Sequence, residues 1–361
     1  MESFAGEFTA EQTALRESVR DFFASPGYSW DRLTGELGLT ALAVAEEHGG
    51  FGATAVEAGI VLEEAGAALL SAPLLSTTAA ILALAPASGR LGSLAAGTAI
   101  GAPALEPVSG RLGTAIGAPA LDPVSGLLES LAAGTTIGAL ALGDGVEARP
   151  TADGIVLDGR AEHVLDGDAA DVFLVEAAGD LYATDAAVVQ PVPTLDTTRG
   201  QATLILTAAP ARPVAPAGAA HALAVVRALL AAESVGVARA ALRSTVDHLR
   251  TRHQFGVPLS TFQALRHRVA DLYVLLEQAT STARYALRCH GTAEFAVAAP
   301  LAKLSAAEAA WTITRESIQL LGGIGFTWEH PAHRYLKRAT AGHLLFGDPP
   351  TLRRQLLAHA G

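Results

Sequence analysis

Two segments of the sequence carry side chains suited to holding a phosphorylated ligand. Arg252, in the run Arg252-His253-Gln254-Phe255-Gly256, is a planar cation able to clasp a pyrophosphate through two parallel hydrogen bonds. Gly322 and Gly323, just after Gln319-Leu320-Leu321, let a backbone approach a ligand closely and turn its N–H groups toward phosphate oxygens. Gln263 and Gln319 add amides able to bond an adenine edge or a ribose. A plainer reading stays open at this point: Arg252 capping a helix C-terminus, and the glycines only stopping another helix. Other constellations point to no chemistry. His330 and His333 flank Pro331 with no third ligand nearby, so no metal site is expected. Asp247 and His248 read as a solvated helix face, Cys289 as a small core residue, and no serine sits in a nucleophile elbow.

Helices must position such groups, and the chain supplies them toward both ends. Apolar residues at three- and four-residue spacing predict helices over Glu11–Phe23, near Trp30–Leu37 and over Ala55–Leu70. The turn Gly49-Gly50-Phe51-Gly52 separates two of them. From 137 to 208 the pattern changes to short β-type runs: Ile137–Leu142, Gly154–Leu157, Val172–Glu176, Leu181–Thr184, Ala187–Gln190 and Thr203–Leu206. These predict a small antiparallel barrel or sandwich, closed by a boundary at Pro210, Pro213 and Pro216. Beyond it, amphipathic stretches over 217–251, 260–290 and 293–321, with shorter ones at 332–341 and 349–359, predict a helix bundle with oligomer contacts.

Between the first helices and the strands lies a duplication. Thr98–Gly113 (TAIGAPALEPVSGRLG) recurs as Thr114–Glu129 (TAIGAPALDPVSGLLE), and in a second register 88–102 recurs at 125–139. Two copies are too few to stack as a solenoid. A lengthened, exposed connector without chemistry is expected, since loop closure costs grow only slowly with length. The expected fold is thus α+β and multidomain: a helical domain over 1–87, the connector over 88–136, a β-barrel domain over 137–212 and a helical bundle over 213–361.

Composition narrows the function. The net charge of −11 over 361 residues argues against nucleic acid and against an anionic lipid surface. Half the residues are hydrophobic and only 5% aromatic, which suits helices packed closely through small side chains. A single cysteine cannot form an internal disulfide, and no basic segment followed by an apolar core opens the chain, so a reducing, cytoplasmic setting is expected. The apolar stretch 66–87 contains Ser71, Pro73, Ser76, Thr77, Thr78 and Pro86 and reads as a buried helix rather than a membrane span.

The order of helices, small β-domain and bundle is the plan of the acyl-CoA dehydrogenases, and four motifs agree in order and spacing. Leu37-Gly38-Leu39 through Ala45-Glu46-Glu47-His48-Gly49-Gly50-Phe51-Gly52 resembles the family's LGL…PEExGGxG signature, with Ala45 in place of proline. Leu62-Glu63-Glu64-Ala65-Gly66 is similar to the helix that follows. Arg252 to Gly256 with Phe262-Gln263 resembles RxxFG…Q, and Gln319 to Phe326 matches QxxGGxGF. The resemblance covers most of the chain outside roughly 88–125. It implies that Arg252, Phe255, Gln263, Gln319, Gly322 and Gly323 reach across a subunit interface and clamp the ADP half of FAD held by a neighbour.

The same resemblance exposes gaps. The family reaction removes an α-proton from an acyl-CoA while the β-hydrogen leaves as hydride to the flavin, which needs a placed carboxylate and a held flavin ring. The usual glutamate sits in a Tyr-Glu-Gly turn, where this chain reads Leu345-Phe346-Gly347-Asp348, with Gly347 in the slot and Asp348 one residue late. In another branch the glutamate lies 26 residues before the arginine of RxxFG, which gives Val226 here. Glu233, the nearest carboxylate on that helix, lies two turns away, about 10.5 Å along the axis. The flavin-binding TEPxAGSD-type loop reads Gly143-Asp144-Gly145-Val146, and the WIT/S segment corresponds to His163-Val164-Leu165, where Leu165 has nothing to donate.

The resemblance therefore implies a base-lacking partner subunit of a heteromeric acyl-CoA dehydrogenase with FAD shared between chains. It is similar to the paired subunits of actinobacterial steroid or bulky acyl-CoA degradation. A larger subunit would bind the acyl-CoA, and an electron-transfer flavoprotein-like acceptor is expected. Two alternatives stay open: a homo-oligomer with a relocated base, Asp348 or Glu233, and a scaffold that has lost FAD.

Overall fold

The computed structural model describes residues 8–25, 27–95 and 123–360. Helix α1 (Ala10–Ala24) opens with a reciprocal cap: the Thr9 hydroxyl accepts from the Gln12 N–H at 3.2 Å, and the Gln12 side chain accepts from the Thr9 N–H at 3.1 Å. Thr54 and Glu57 repeat the device at the start of α2 (Ala55–Ala68). Between them Arg32–Glu36 forms one wide helical turn, and Glu46–His48 a tight one that ends at Gly49. Helix α3 (Leu74–Ala95) is buried from Leu74 to Leu84, as a core helix should be.

The exposed connector expected up to residue 136 is corrected at both ends. Helix α3 runs into it as far as Ala95, and Pro123–Ala132 forms a further helix, α4. Val124, Leu127, Leu128 and Leu131 bury α4 in the main core, while Thr40 donates to the Ala132 carbonyl at 2.8 Å. Residues 96–122, which hold most of the duplication, lie outside the described residues.

Seven strands follow: β1 (Gly138–Ala141), β2 (Val146–Thr151), β3 (Gly154–Leu165), β4 (Val172–Ala177), β5 (Asp180–Thr184), β6 (Val188–Pro191) and β7 (Gln201–Ala215). Their order is β1-β4-β5-β7-β3-β2, with β6 also on β7. The 15-residue β7 belongs to both halves, so the sheet folds on itself around Ala139, Leu157, Phe173 and Leu204. Three expectations are corrected here. Strand β2 was not foreseen; β1 pairs β4 in parallel; and Pro210 and Pro213 stand inside β7, opposite Val156 and Tyr182, rather than at a boundary. Proline removes only a donor, and the Pro210 carbonyl still accepts from the Thr184 hydroxyl at 2.8 Å.

The bundle is α5 (Ala219–Thr251), α6 (Gln263–Arg288), α7 (Phe295–Leu321), α8 (Ala332–Leu344) and α9 (Pro349–Ala360), with a small hairpin, β8 (His253–Gln254) and β9 (Val257–Pro258), after α5. Among the described residues α5 alone is long and apolar enough to cross a membrane, and 83% of its apolar window is buried within the protein. It crosses α2 at a glycine pair. A Cβ on Gly236 would lie 1.8 Å from the Glu63 carbonyl, and one on Gly66 would lie 2.2 Å from that of Glu233, so only glycine admits the two backbones this close.

Candidate functional site

The six residues expected to meet a cofactor all lie at one solvent-facing tip of the bundle. Arg252 closes α5 with its backbone, its N–H donating to the His248 carbonyl at 2.8 Å. Its exposed guanidinium pairs with no carboxylate among the described residues, so the capping reading leaves the side chain without a duty. The β8–β9 turn holds Phe255 at φ 55° and Gly256 at φ 81°, leaving Phe255 90% exposed, edge-on to Phe262 at 6.0 Å. Gln263 begins α6 and Gln319 lies in the last turn of α7, both exposed; an ion pair between Arg268 and Glu316 binds these two helix ends together.

Gly322 does stop α7, at φ 63°, with its N–H on the Gln319 carbonyl. Yet Gly322 and Gly323 are exposed, and a Cβ on either would meet nothing within 4 Å. Their backbone is open to a ligand. Phe326 and Trp328 stand beside them, 72% and 79% exposed. His248 links the two segments: burial, then the nearby His330 and Arg252, lowers its pKa. His330 accepts from the Ala332 N–H at 3.2 Å at the start of α8, and His333 packs on Trp328; no group of metal-binding side chains occurs among the described residues.

A cleft of about 710 Å³ lies between the β-layer and the bundle. A slightly larger cavity of about 790 Å³, by Gly126, Asp171 and Arg212, holds none of the residues singled out above. The cleft's floor is Leu223 and Arg227 of α5 with Leu344 at the end of α8 and Leu345 and Phe346 beyond it; its rim carries Asp144, Glu162, His163 and Glu176. Arg227 is buried and donates to the Phe346 carbonyl at 2.8 Å and to Gln355 Oε1 at 2.9 Å. Burial lowers its pKa, and no described carboxylate pairs with it. A Cβ on Gly347 would come within 3.1 Å of Arg227 Nη2. The guanidinium thus lies beside Gly347, one of the two positions where a base is expected, and on the residue after the other, Val226. Sequence reasoning missed it because the search at 226 was for carboxylates; the cation one position on was the available signal.

Neither candidate base is free. Glu233 is 4% exposed and ion-paired to Arg199 and, at 2.8 Å, to Arg338. Burial would push its carboxyl up, but the two arginines outweigh burial and hold it below the usual range. Arg338 also bonds Asp196 at 2.7 Å, and Asp166, on Ser76 at 2.8 Å, is pushed up to about 6 by burial. This network joins the N-terminal helices, the β-layer and the bundle, and Glu233 does not line the cleft. Asp348 caps α9: it accepts from the Thr351 N–H at 3.0 Å, and bonds from the Thr351 side chain and then its backbone lower its pKa.

The reduced loop is visible as well. Gly143 to Gly145 is a bare turn between β1 and β2, with the Gly143 N–H on Glu176 Oε2 at 3.0 Å. His163 is exposed at φ 55°, while Leu165 is buried. Three carboxylates on the rim oppose any phosphate-bearing group entering there.

Residues 9–93 match the family model for the acyl-CoA dehydrogenase N-terminal domain, and 217–360 that for the acyl-CoA dehydrogenase C-terminal domain. Acyl-CoA dehydrogenase IpdE2 of Mycobacterium tuberculosis is 36% identical over 344 residues, 94% of this chain and 90% of that protein. Among solved structures, a variant of the Tcur3481-Tcur3483 steroid ACAD superposes with a TM-score of 0.82 at 28% identity, covering 97% of this chain and 98% of that one. A glutaryl-CoA dehydrogenase from Mycobacterium smegmatis, solved with FADH2, shares the fold at a TM-score of 0.78 and 18% identity, covering 98% of this chain and 95% of that one.

Proposed function

The chain belongs to the acyl-CoA dehydrogenase family of oxidoreductases, and from that premise we propose that it is the base-lacking subunit of a heteromeric, FAD-dependent acyl-CoA dehydrogenase. One observation carries this reading: the cleft floor, where the family's base belongs, holds Arg227 and no carboxylate, and the flavin-binding loop is a bare turn, whereas the tip keeps an open, uncommitted set of polar groups. The tip fits the ADP half of FAD. Arg252 would pair with the pyrophosphate, the Gly322 and Gly323 backbone would approach it, and Gln263 and Gln319 would bond the adenosine, with Phe255 alongside. The cleft does not fit the flavin ring, because its rim is acidic and Leu165 offers no donor.

Bound FAD would take the hydride of an α,β-desaturation. The α-proton would go to a glutamate of a larger partner subunit, which would also hold the acyl-CoA. This chain's part would be to fix the cofactor's far end. The names of the IpdE2 relative and of the steroid ACAD support a steroid-derived or otherwise bulky acyl-CoA as substrate, and the Tcur3481-Tcur3483 pairing supports a heterotetramer with two copies of each chain. An electron-transfer flavoprotein-like acceptor and a cytoplasmic location complete the proposal.

Purification of the chain alone and with a co-expressed partner tests it. The expected result is little FAD and no acyl-CoA oxidation from the single chain, and both from the pair. Stoichiometric FAD with turnover in the single chain would overturn the proposal.

A further inference from the structure

In a chain of net charge −11, one pocket concentrates the opposite sign. It has a volume of about 500 Å³ and lies between α1, α2 and α5, away from both the tip and the cleft. Arg16 and Arg20 enter from α1 and Arg239 and Arg243 from α5, while Glu64 is the sole carboxylate on its lining.

The ion pairs do not balance. Glu63 and Glu64, on α2, accept from three guanidiniums: Arg16 at 2.7 Å to each, Arg20 at 3.1 Å to Glu64, and Arg239 at 2.9 Å to Glu64 with a further bond to Glu63. Arg243, one turn beyond Arg239, is exposed and pairs with no carboxylate among the described residues. Arg284 of α6, outside the pocket lining, stacks over the Phe8 ring at 4.3 Å. The strain is legible at Arg239, where burial first, and then Arg16, Arg20, Arg284 and Arg243, push the guanidinium down to about 9. Glu17 and Asp21 act on Arg20 from α1, and Glu277 acts on Arg284; none of the three lines the pocket.

Fixed cations around an open cavity, in excess of their acids, are the arrangement that an anion completes. Guanidiniums suit phosphate oxygens, each offering parallel donors. The remaining wall is Phe23 and alanines of α1, α2 and α5, which offer apolar surface and no acceptor side chain. We propose that this pocket binds a phosphate group carried on a small apolar body.

Inorganic phosphate and phenyl phosphate, titrated into the full chain at constant ionic strength with chloride as control, test the site through the thermal midpoint and phosphorus NMR line width. Both phosphates should raise the midpoint where chloride does not, by mass action on the folded state. Phenyl phosphate should bind several-fold more tightly. Arg243→Ala should weaken both by about tenfold or more while leaving the ligand-free midpoint unchanged or slightly higher, since Arg243 is exposed, unpaired and repels Arg239. Equal responses to phosphate and chloride, or full affinity in Arg243→Ala, would overturn the site. Equal affinity for the two phosphates would remove the apolar body, and displacement by an acidic peptide at lower concentration would assign the pocket to a protein partner instead.

Discussion

Arg227 and Arg252 stand on the same helix, 25 residues apart, and have opposite circumstances. The rise of an α-helix separates them by about 37 Å. Arg227 is buried, with hydrogen bonds to Phe346 and Gln355 that hold the cleft floor together. Arg252 is exposed, with a side chain that the fold does not use. The same contrast separates their surroundings. Toward the cleft end of the bundle Asp348 caps a helix, and Glu233, off the cleft, is locked in a network; around the tip Gln263, Gln319, Gly322 and Gly323 face water. Polar groups on the cleft side serve the fold, and those at the tip are exposed to solvent. Charge does not distinguish the two arginines; burial and hydrogen-bond partners do.

Glu233→Gln tests the contrast most severely. It leaves Arg338 and Arg199 buried with one counter-charge removed, so the chain should lose about 3–5 kcal/mol of stability in denaturant unfolding. A variant of unchanged stability that abolishes turnover in the complex would return Glu233 to the role of base. Arg252→Ala should do the reverse. Stability of the chain should stay within about 0.5 kcal/mol, while FAD release from the complex, followed by fluorescence, should reveal a loss of about 1.5–3 kcal/mol in binding. Unchanged flavin content would favour a scaffold without a cofactor role.

Lys303 gives the smallest effect and a distinctive pH signature. It is buried without a hydrogen-bond partner near the cleft floor, and burial, aided by Arg227 and opposed by Asp348, pushes its pKa down to about 7. Between about 7 and the ordinary lysine value of 10.5 the unfolded chain holds a proton that the folded chain has released. Stability from this group therefore rises with pH through that window and is lowest below it. Lys303→Met should raise stability by about 1–2 kcal/mol at pH 6 and by less at pH 9.5. An equal gain at both pH values would mean that Lys303 is not the buried, proton-shedding group described.

The sequence is unevenly informative about these two regions. The tip is legible because its residues are contiguous: RxxFG, the glutamine after it and QxxGGxGF each sit at a helix end, and helix ends are marked by local residue types. The long bundle helices announce themselves by period, and the Thr9 and Thr54 caps lie where period begins. The cleft is legible mainly by what it lacks. Arg227 meets its partners Phe346 and Gln355 from 119 and 128 residues away, and Arg338 meets Thr198 from 140, so neither network leaves a local trace. Strand β2 escapes the pattern because Arg149-Pro150-Thr151 on an edge need not alternate, and the second half of β7, past Leu206, because prolines are tolerated where a strand changes partners.

Helix α4 has a rival within its own chain. Its sequence, PVSGLLESLA, is preceded at 86–95 by PASGRLGSLA, a near copy that forms the tail of α3. The groove in the core is filled by α4, through Val124, Leu127, Leu128 and Leu131. The decision rests on two residues. Where α4 buries Leu127 and Val124, the decoy would present Arg90 and Ala87, an unpaired buried cation and a void. A duplication that left both copies identical would have no such referee. Divergence at 87 and 90 thus keeps a chain with two keys from opening the wrong lock.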